Sequence, residues 1–292
     1  MTDLPGPPTL KARPPAKINL TLKVVGRRPD GFHELESIFL RIGLTDRLTM
    51  APASTGDVDR LTVTGLPGAP STRDNLVLRA LHALRGHAGI DFPPLDVTLD
   101  KRIPAAAGLG GGSSDAASAL KLAQAAWGIG LAKAEESALG EDLGSDVPFF
   151  LSELTEALVE GRGEHVSPSS YAAGAAVLLV TPPIELKTAA VFDRFDQLGQ
   201  PGDSHSASAN DLWQAAASLE PSLPRLRAEL EARSGQPWLM SGSGPTLFAL
   251  YPSVSEAAEA GQTLVASRLP SLESAQINAV DLVGPDPAWR YP

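Results

Sequence analysis

Strand-like and helix-like segments follow one another irregularly along this chain, and that irregularity predicts an α+β fold rather than a doubly wound parallel sheet. Three observations carry the prediction. KINLTLKV, from Lys17, alternates with period two; DNLVLRALHALRGH and SSDAASALKLAQAAWG carry helical spacing; and 292 residues exceed what one hydrophobic core usually serves.

Taken in order, KINLTLKV places Ile18, Leu20, Leu22 and Val24 on one face and Lys17, Asn19 and Thr21 on the other, a strand with one wet side. In GRRPDGFHELES, Pro29-Asp30-Gly31 marks a turn, and SIFLRIGL continues as a second strand. DRLTM and LTVTG read as short strands around the loop PASTG. The helix in DNLVLRALHALRGH repeats Leu76, Ala80 and Leu84 and takes Asp74 or Asn75 as its N-cap. LDVTLDKRIP is a strand leading into a run of glycines. Beyond them Ala116, Leu120, Ala123 and Trp127 share a helix face that stops at Gly128.

The second half opens with a strand and a Gly-Arg-Gly turn in LTEALVEGRGEHV, then the apolar strand AAVLLVTP. The polar stretch GQPGDSHSASAND runs into helices. PWLMSGSGPTLFALYP sets a Ser-Gly-Ser-Gly loop before a strand, SEAAEAGQTLVASRL is helical, and NAVDLVG is a closing strand. The turn region from Gly163 to Ser170 divides the chain into an N-terminal domain, 1–165, and a C-terminal domain, 166–292.

Composition narrows the function. A net charge of −10 disfavours nucleic acid and anionic membrane surfaces, which call for a basic patch. With no cysteine there is no disulfide framework and no thiolate metal site, in keeping with a reducing cytoplasm. MTDLPGPPTLKARPPAK lacks the apolar run of a signal peptide, and no stretch approaches the ~20 apolar residues of a membrane span. Small molecules are the expected partners.

In IPAAAGLGGGSSDAASAL a strand, bare glycines and a helix start, capped by Ser113, Ser114 and Asp115, would aim unpaired N–H groups and a helix dipole at one point. That is an anion site, most simply for phosphate, with the glycines bare because the phosphate comes close. It is neither a Walker A loop, since no lysine follows Gly112, nor a dinucleotide fingerprint, whose spacing and downstream acid are missing.

These segments carry a resemblance. PAKINLTLKVVGRRPDGFHELES, IPAAAGLGGGSSDAASAL, GSDVPFFL and SGSGPTLFAL resemble, in order, the signature segments of the galactokinase, homoserine kinase, mevalonate kinase and phosphomevalonate kinase superfamily. Ala105-Ala106-Ala107 stands where some relatives carry glycine. The resemblance implies a ribosomal-protein-S5-like N-terminal domain and a ferredoxin-like C-terminal domain. It also implies ATP as phosphoryl donor, Mg2+ without assignable protein ligands, and an alcohol acceptor on a cytidine diphosphate sugar alcohol of the non-mevalonate route to isoprenoid precursors. The alternative is another small-molecule kinase of the superfamily, whose members resemble PDGFHELES poorly.

Residue by residue, the resemblance implies that Asp146 orients the substrate hydroxyl and takes its proton, held outward by an extended Val147 before Pro148, with Lys17 beside it to steady the moving phosphoryl group. It assigns ATP to Pro104, Ala105, Ala106, Ala107, Gly108, Leu109, Gly110, Gly111, Gly112, Ser113 and Ser114. It assigns the substrate to Asn19, Phe32, His33, Thr188 and Phe192, the two phenyl rings lying in turns and facing the base from opposite sides. Gly242, Ser243 and Gly244 form a last glycine motif packed on the nucleotide loop.

Overall fold

The computed structural model describes residues 9–68, 74–170, 176–199 and 209–283. In the first half the strands are β1 (Leu10–Ala12), β2 (Pro15–Arg27), β3 (His33–Thr45), β4 (Arg47–Pro52), β5 (Arg60–Gly65), β6 (Leu95–Lys101), β7 (Glu156–Gly161) and β8 (His165–Pro168), and the helices are α1 (Leu76–Ala88), α2 (Gly111–Trp127), α3 (Lys133–Leu143) and α4 (Val147–Leu151). The second half adds β9 (Ala176–Thr181), α5 (Thr188–Leu198), α6 (Trp213–Leu219), α7 (Ser222–Ser234), β10 (Leu239–Met240), β11 (Leu247–Tyr251), α8 (Val254–Ala266) and β12 (Gln276–Asp281). Among the described residues no helix is long and apolar enough to cross a membrane.

Among the described residues there are three four-stranded sheets, in the orders β1-β4-β6-β5, β2-β3-β7-β8 and β10-β11-β9-β12. The third sheet is antiparallel throughout, and its helices return between β9 and β10 and between β11 and β12, the ferredoxin-like arrangement. One core packs α1, α2 and α4 onto the first two sheets, through Leu81, Leu84, Leu120 and Phe149. A second lies between the middle and last sheets, where Ile18, Leu40 and Ile42 meet Val177, Leu179 and Phe248. The third covers the far face of the last sheet with Val191, Phe195 and Leu226.

The alternation read in KINLTLKV forms β2, but the first part of its second side is dry: Lys17 is 4% exposed and Asn19 3%, because the glycine run folds over them and the Lys17 N–H donates to the Leu109 carbonyl at 3.0 Å, whereas Thr21 is half-buried and Lys23 exposed. Helix α1 is capped by Asn75, whose side chain accepts from the Val77 N–H at 2.9 Å, and α1 and α2 end at left-handed Gly89 and Gly128. The division expected between residues 165 and 166 falls inside β8, which pairs with β7. The chain passes to the last sheet between Pro168 and Ala176. In the polar stretch from Gly199 to Asp211, residues 200–208 lie outside the described residues. Beyond it, Asn210 and Asp211 bind back to β2: Asp211 N–H donates to the Leu22 carbonyl at 2.9 Å, and Val24 N–H donates to the Asp211 carboxylate at 2.9 Å.

Candidate active site

The glycine run connects β6 to α2 at the junction of all three sheets. Gly108 and Gly110 have φ of 74° and 68°, a conformation that side chains rarely adopt. A Cβ on Gly108 would stand 2.2 Å from the Ser241 carbonyl oxygen, one on Gly110 3.0 Å from both the Lys17 Cγ and the Phe150 ring, and one on Gly111 2.9 Å from Ile103. The chain's own backbone and side chains therefore already require these positions to be bare, in addition to the expected approach of a phosphate. At Gly112 the nearest atom, on Leu76, is 3.6 Å away, an ordinary contact.

The cap expected from Ser113, Ser114 and Asp115 is corrected. Helix α2 starts at Gly111, its N-cap is Gly110 with no side-chain cap bond, and Ser113 and Ser114 sit inside the first turn with Asp115 just beyond it. Ser114 and Asp115 are turned into the protein at 1% and 3% exposure. Uncapped, the helix start leaves its first N–H groups open to an anion. Beneath it Lys101 donates to Asp46 and, at 2.7 Å, to Asp115. Burial first, and the charge of Asp46 next, push the Asp115 carboxyl up to about 8 against the pull of Lys101. Burial would lower Lys101, but the two carboxyl groups outweigh it and the net shift is upward.

Lys17 and Asp146 meet beside this loop. Lys17 Nζ donates to Asn19 Oδ1 at 2.6 Å, lies 3.4 Å from Asp146 Oδ2 and sits 4.5 Å from the Phe39 ring centroid. Asn19 donates from Nδ2 to the Ser37 hydroxyl at 2.9 Å, and its N–H donates to the Ser241 hydroxyl at 3.2 Å. The Ser241 hydroxyl in turn donates to the Gly108 carbonyl at 2.8 Å, which joins the last glycine motif, the nucleotide loop and β2. Asp146 is the N-cap residue of α4, yet its side chain makes no capping bond and faces the cavity. Val147 is helical rather than extended, because Pro148 occupies the first turn, where its missing N–H costs nothing.

Opposite lies a wall of side chains. Phe32 is in a turn and 51% exposed, with the Arg162 guanidinium 5.5 Å from its ring centroid. Phe192 is not in a turn but in the middle of α5, and its ring stacks on His33 at 4.7 Å and 23°. Thr188, Phe192 and Asp196, four residues apart, share one face of that helix. Thr188 exchanges a hydrogen bond with Ser243 at 3.0 Å, and Asp196 binds His33 Nε2 at 2.7 Å and Arg27 at 3.2 Å.

A cavity of about 770 Å³ runs between the two walls, and every residue expected in the site lines it except Ser114 and Gly244. Lys101, Arg162 and Asp196 also line it and were not assigned to the site from the sequence, nor was buried Ser241; Asp115, read from the sequence only as part of the helix cap, lines it as well. Arg162 stood in the visible Gly-Arg-Gly turn; Lys101 and Ser241 gave no signal, because their partners are distant in the chain. Among the described residues no group of three His, Asp or Glu could hold a metal ion.

Known proteins share this architecture. The GHMP kinases N terminal domain matches residues 75–153 and the GHMP kinases C terminal domain residues 195–270. A 4-diphosphocytidyl-2-C-methyl-D-erythritol kinase of Geobacter metallireducens is 38% identical over 271 residues, which cover 89% of this chain and 94% of that protein. A crystal structure of 4-(cytidine 5'-diphospho)-2C-methyl-D-erythritol kinase superposes with a TM-score of 0.74 at 32% identity, covering 93% of this chain and 99% of that one. The mevalonate kinase of Methanococcus jannaschii, 13% identical with a TM-score of 0.64 over 95% of this chain and 99% of its own, shares the fold.

Proposed function

The chain belongs to the 4-diphosphocytidyl-2-C-methyl-D-erythritol kinase family of the GHMP kinases, and we propose from that premise how its residues divide the work. The reaction is phosphoryl transfer from ATP to the 2-hydroxyl of 4-diphosphocytidyl-2-C-methyl-D-erythritol, a step of the non-mevalonate route to isoprenoid precursors.

Such a transfer rests on positioning and on compensation of charge. The open N–H groups from Gly110 to Ser113, at the positive end of α2, receive the ATP phosphates. Lys17, held by Asn19, directs its ammonium at the transferring group, and Asp146 aligns the acceptor hydroxyl and takes its proton. Phe32, His33 and Phe192 receive the cytosine, and Thr188 with Ser243 stands near the diphosphate. Mg2+ would supply further positive charge to the phosphates. Among the described residues no group of three Asp, Glu or His could hold that ion, so no protein ligand is assigned to it. ATP and the cytidine diphosphate sugar alcohol are the partners, the cytoplasm is the compartment, and the two domains divide after Pro168.

The carrying observation is the buried Lys17 ammonium 3.4 Å from a cavity-facing carboxylate, directly beside an uncapped helix start. The test is phosphate transfer from ATP to 4-diphosphocytidyl-2-C-methyl-D-erythritol, with free methylerythritol and mevalonate as controls. Turnover confined to the cytidylylated alcohol is expected; preference for either control would overturn the reading.

A further inference from the structure

Arg41 lies on β3 opposite Lys17 on β2, so the two side chains leave the same face of one ladder. It is fully buried, and among the described residues no carboxylate pairs with it. Burial alone pulls its guanidinium down to about 10, as expected of a cation without a counter-ion. Its partners are carbonyls: Nε donates to Leu154 at 3.2 Å, and Nη2 donates to Phe149 at 3.2 Å and Ser152 at 2.9 Å. The Phe149 and Phe150 ring centroids stand 5.2 and 5.7 Å from the guanidinium carbon.

Those carbonyls belong to the C-terminal end of α4 and the residues just after it. A helix of five residues does not sustain itself, and its last carbonyls have no partner within the helix. A guanidinium placed there supplies donors, beside the Ser152 hydroxyl that also donates to the Phe149 carbonyl at 2.7 Å, and meets the negative end of the dipole. At the other end of α4 stands Asp146, 3.4 Å from Lys17. Two neighbouring cations on one β-ladder thus hold opposite ends of a one-turn helix. The same turn carries Phe150, whose ring touches the space beside Gly110.

We propose that Arg41 is a positioning residue for phosphoryl transfer: by gripping the C-terminal carbonyls of α4 it sets Asp146 against Lys17 and Phe150 beneath the nucleotide loop. The inference rests on the role proposed for Asp146. It differs from mere stabilisation of the core, because it requires the effect of Arg41 on turnover to pass through Asp146.

The experiment is a double-mutant cycle. Arg41→Met keeps the aliphatic stem but removes every donor and the cation beside the two rings, and Arg41→Lys keeps a charge without the guanidinium fork. Each is made in the parent and in the Asp146→Asn background, with kcat, both KM values and Tm measured on the same preparations. Since a misplacement of about 1 Å can cost on the order of a hundredfold, Arg41→Met should lower kcat between about ten- and a hundredfold. Both KM values should stay within about twofold, with Arg41→Lys recovering part of the rate. In the Asp146→Asn background the same change should leave kcat almost unaltered, since the group it positions is gone. Should Arg41→Met not fold, the cycle with Arg41→Lys decides the matter by the same criterion. Equal losses in both backgrounds, or a folded variant with full turnover beside a crippled Asp146→Asn, overturn this inference alone. Full turnover of Asp146→Asn overturns the proposed role of Asp146 and this inference with it.

Discussion

The two walls of the cavity are built on different principles. The nucleotide wall is backbone: Gly108, Gly110 and Gly111 are pressed against Ser241, Phe150 and Ile103, and Ser241 ties the loop to Asn19. The substrate wall is side chain: a half-exposed phenyl ring at Phe32, and His33 stacked on Phe192 and bound to Asp196. Substitution on the first wall disturbs folding before it disturbs a ligand. On the second, outer rings can be removed and the loss read as binding.

Asp146 stands where the walls meet, and it gives the largest expected effect. Because its side chain makes no capping bond, Asp146→Asn leaves the start of α4 intact and removes only the carboxylate 3.4 Å from Lys17, so the protein should stay folded with a modestly lowered Tm. General-base help is worth about 10²–10⁴ in rate, so kcat should fall by that order while both KM values hold. Steady-state kinetics and a melt of one preparation check both halves. Undiminished turnover would reduce Asp146 to a plain helix start. Lys17→Met comes next: it should lower kcat too, and its combination with Asp146→Asn should cost less than the sum, since both act on one transferring group. An additive pair would separate the two walls completely.

The contrast itself is tested by Gly111→Val and Phe32→Ala. A side chain at Gly111 would overlap Ile103 and crowd Lys101 Nζ at 3.3 Å, and overpacking of this kind costs about 1–3 kcal/mol of stability. Tm should fall, and affinity for ATP and for the cytidylylated alcohol should fall together. Phe32→Ala should leave Tm alone and weaken only the cytidylylated alcohol, by the about 1–3 kcal/mol that base stacking is worth. Calorimetry with each ligand distinguishes the cases; an ATP-specific loss at Gly111 or a melting loss at Phe32 would erase the distinction.

Legibility in the sequence followed the same line. Strands and helices with clear periods, the turn at Gly31 and the helix stop at Gly128 read directly, because each depends on neighbours within a few residues. Helix α4 did not: five residues led by Val-Pro look like an extended loop until Arg41, more than a hundred positions away, supplies donors for its carbonyls. Phe192 was placed in a turn because the polar residues around it obscured the face it shares with Thr188 and Asp196. The glycine run was recognisable as an anion site, but a further reason for its glycines lay in Ser241, Phe150 and Ile103, which only folding brings near. Burial of Lys17 and Asn19 escaped an alternation rule that sees one strand and not what covers it.

The smallest effect concerns the floor of the nucleotide wall. Burial holds the Asp115 carboxyl in its protonated form up to about 8, whereas in the unfolded chain it ionises near its ordinary value of 3.8. Between those values the folded state binds one more proton than the unfolded state, so this group makes stability fall as pH rises from about 4 to about 8, with no further change above. Lys101, shifted upward, stays charged throughout that window and keeps Asp46 as its partner whether or not Asp115 ionises. Asp115→Asn removes the titration while keeping a neutral group of the same shape. The variant's Tm relative to the parent should therefore climb steadily from pH 5 to pH 8 and level off beyond. A constant difference across that range would mean that Asp115 is ionised throughout and that Lys101 binds two carboxylates, making the floor of this wall a charged one.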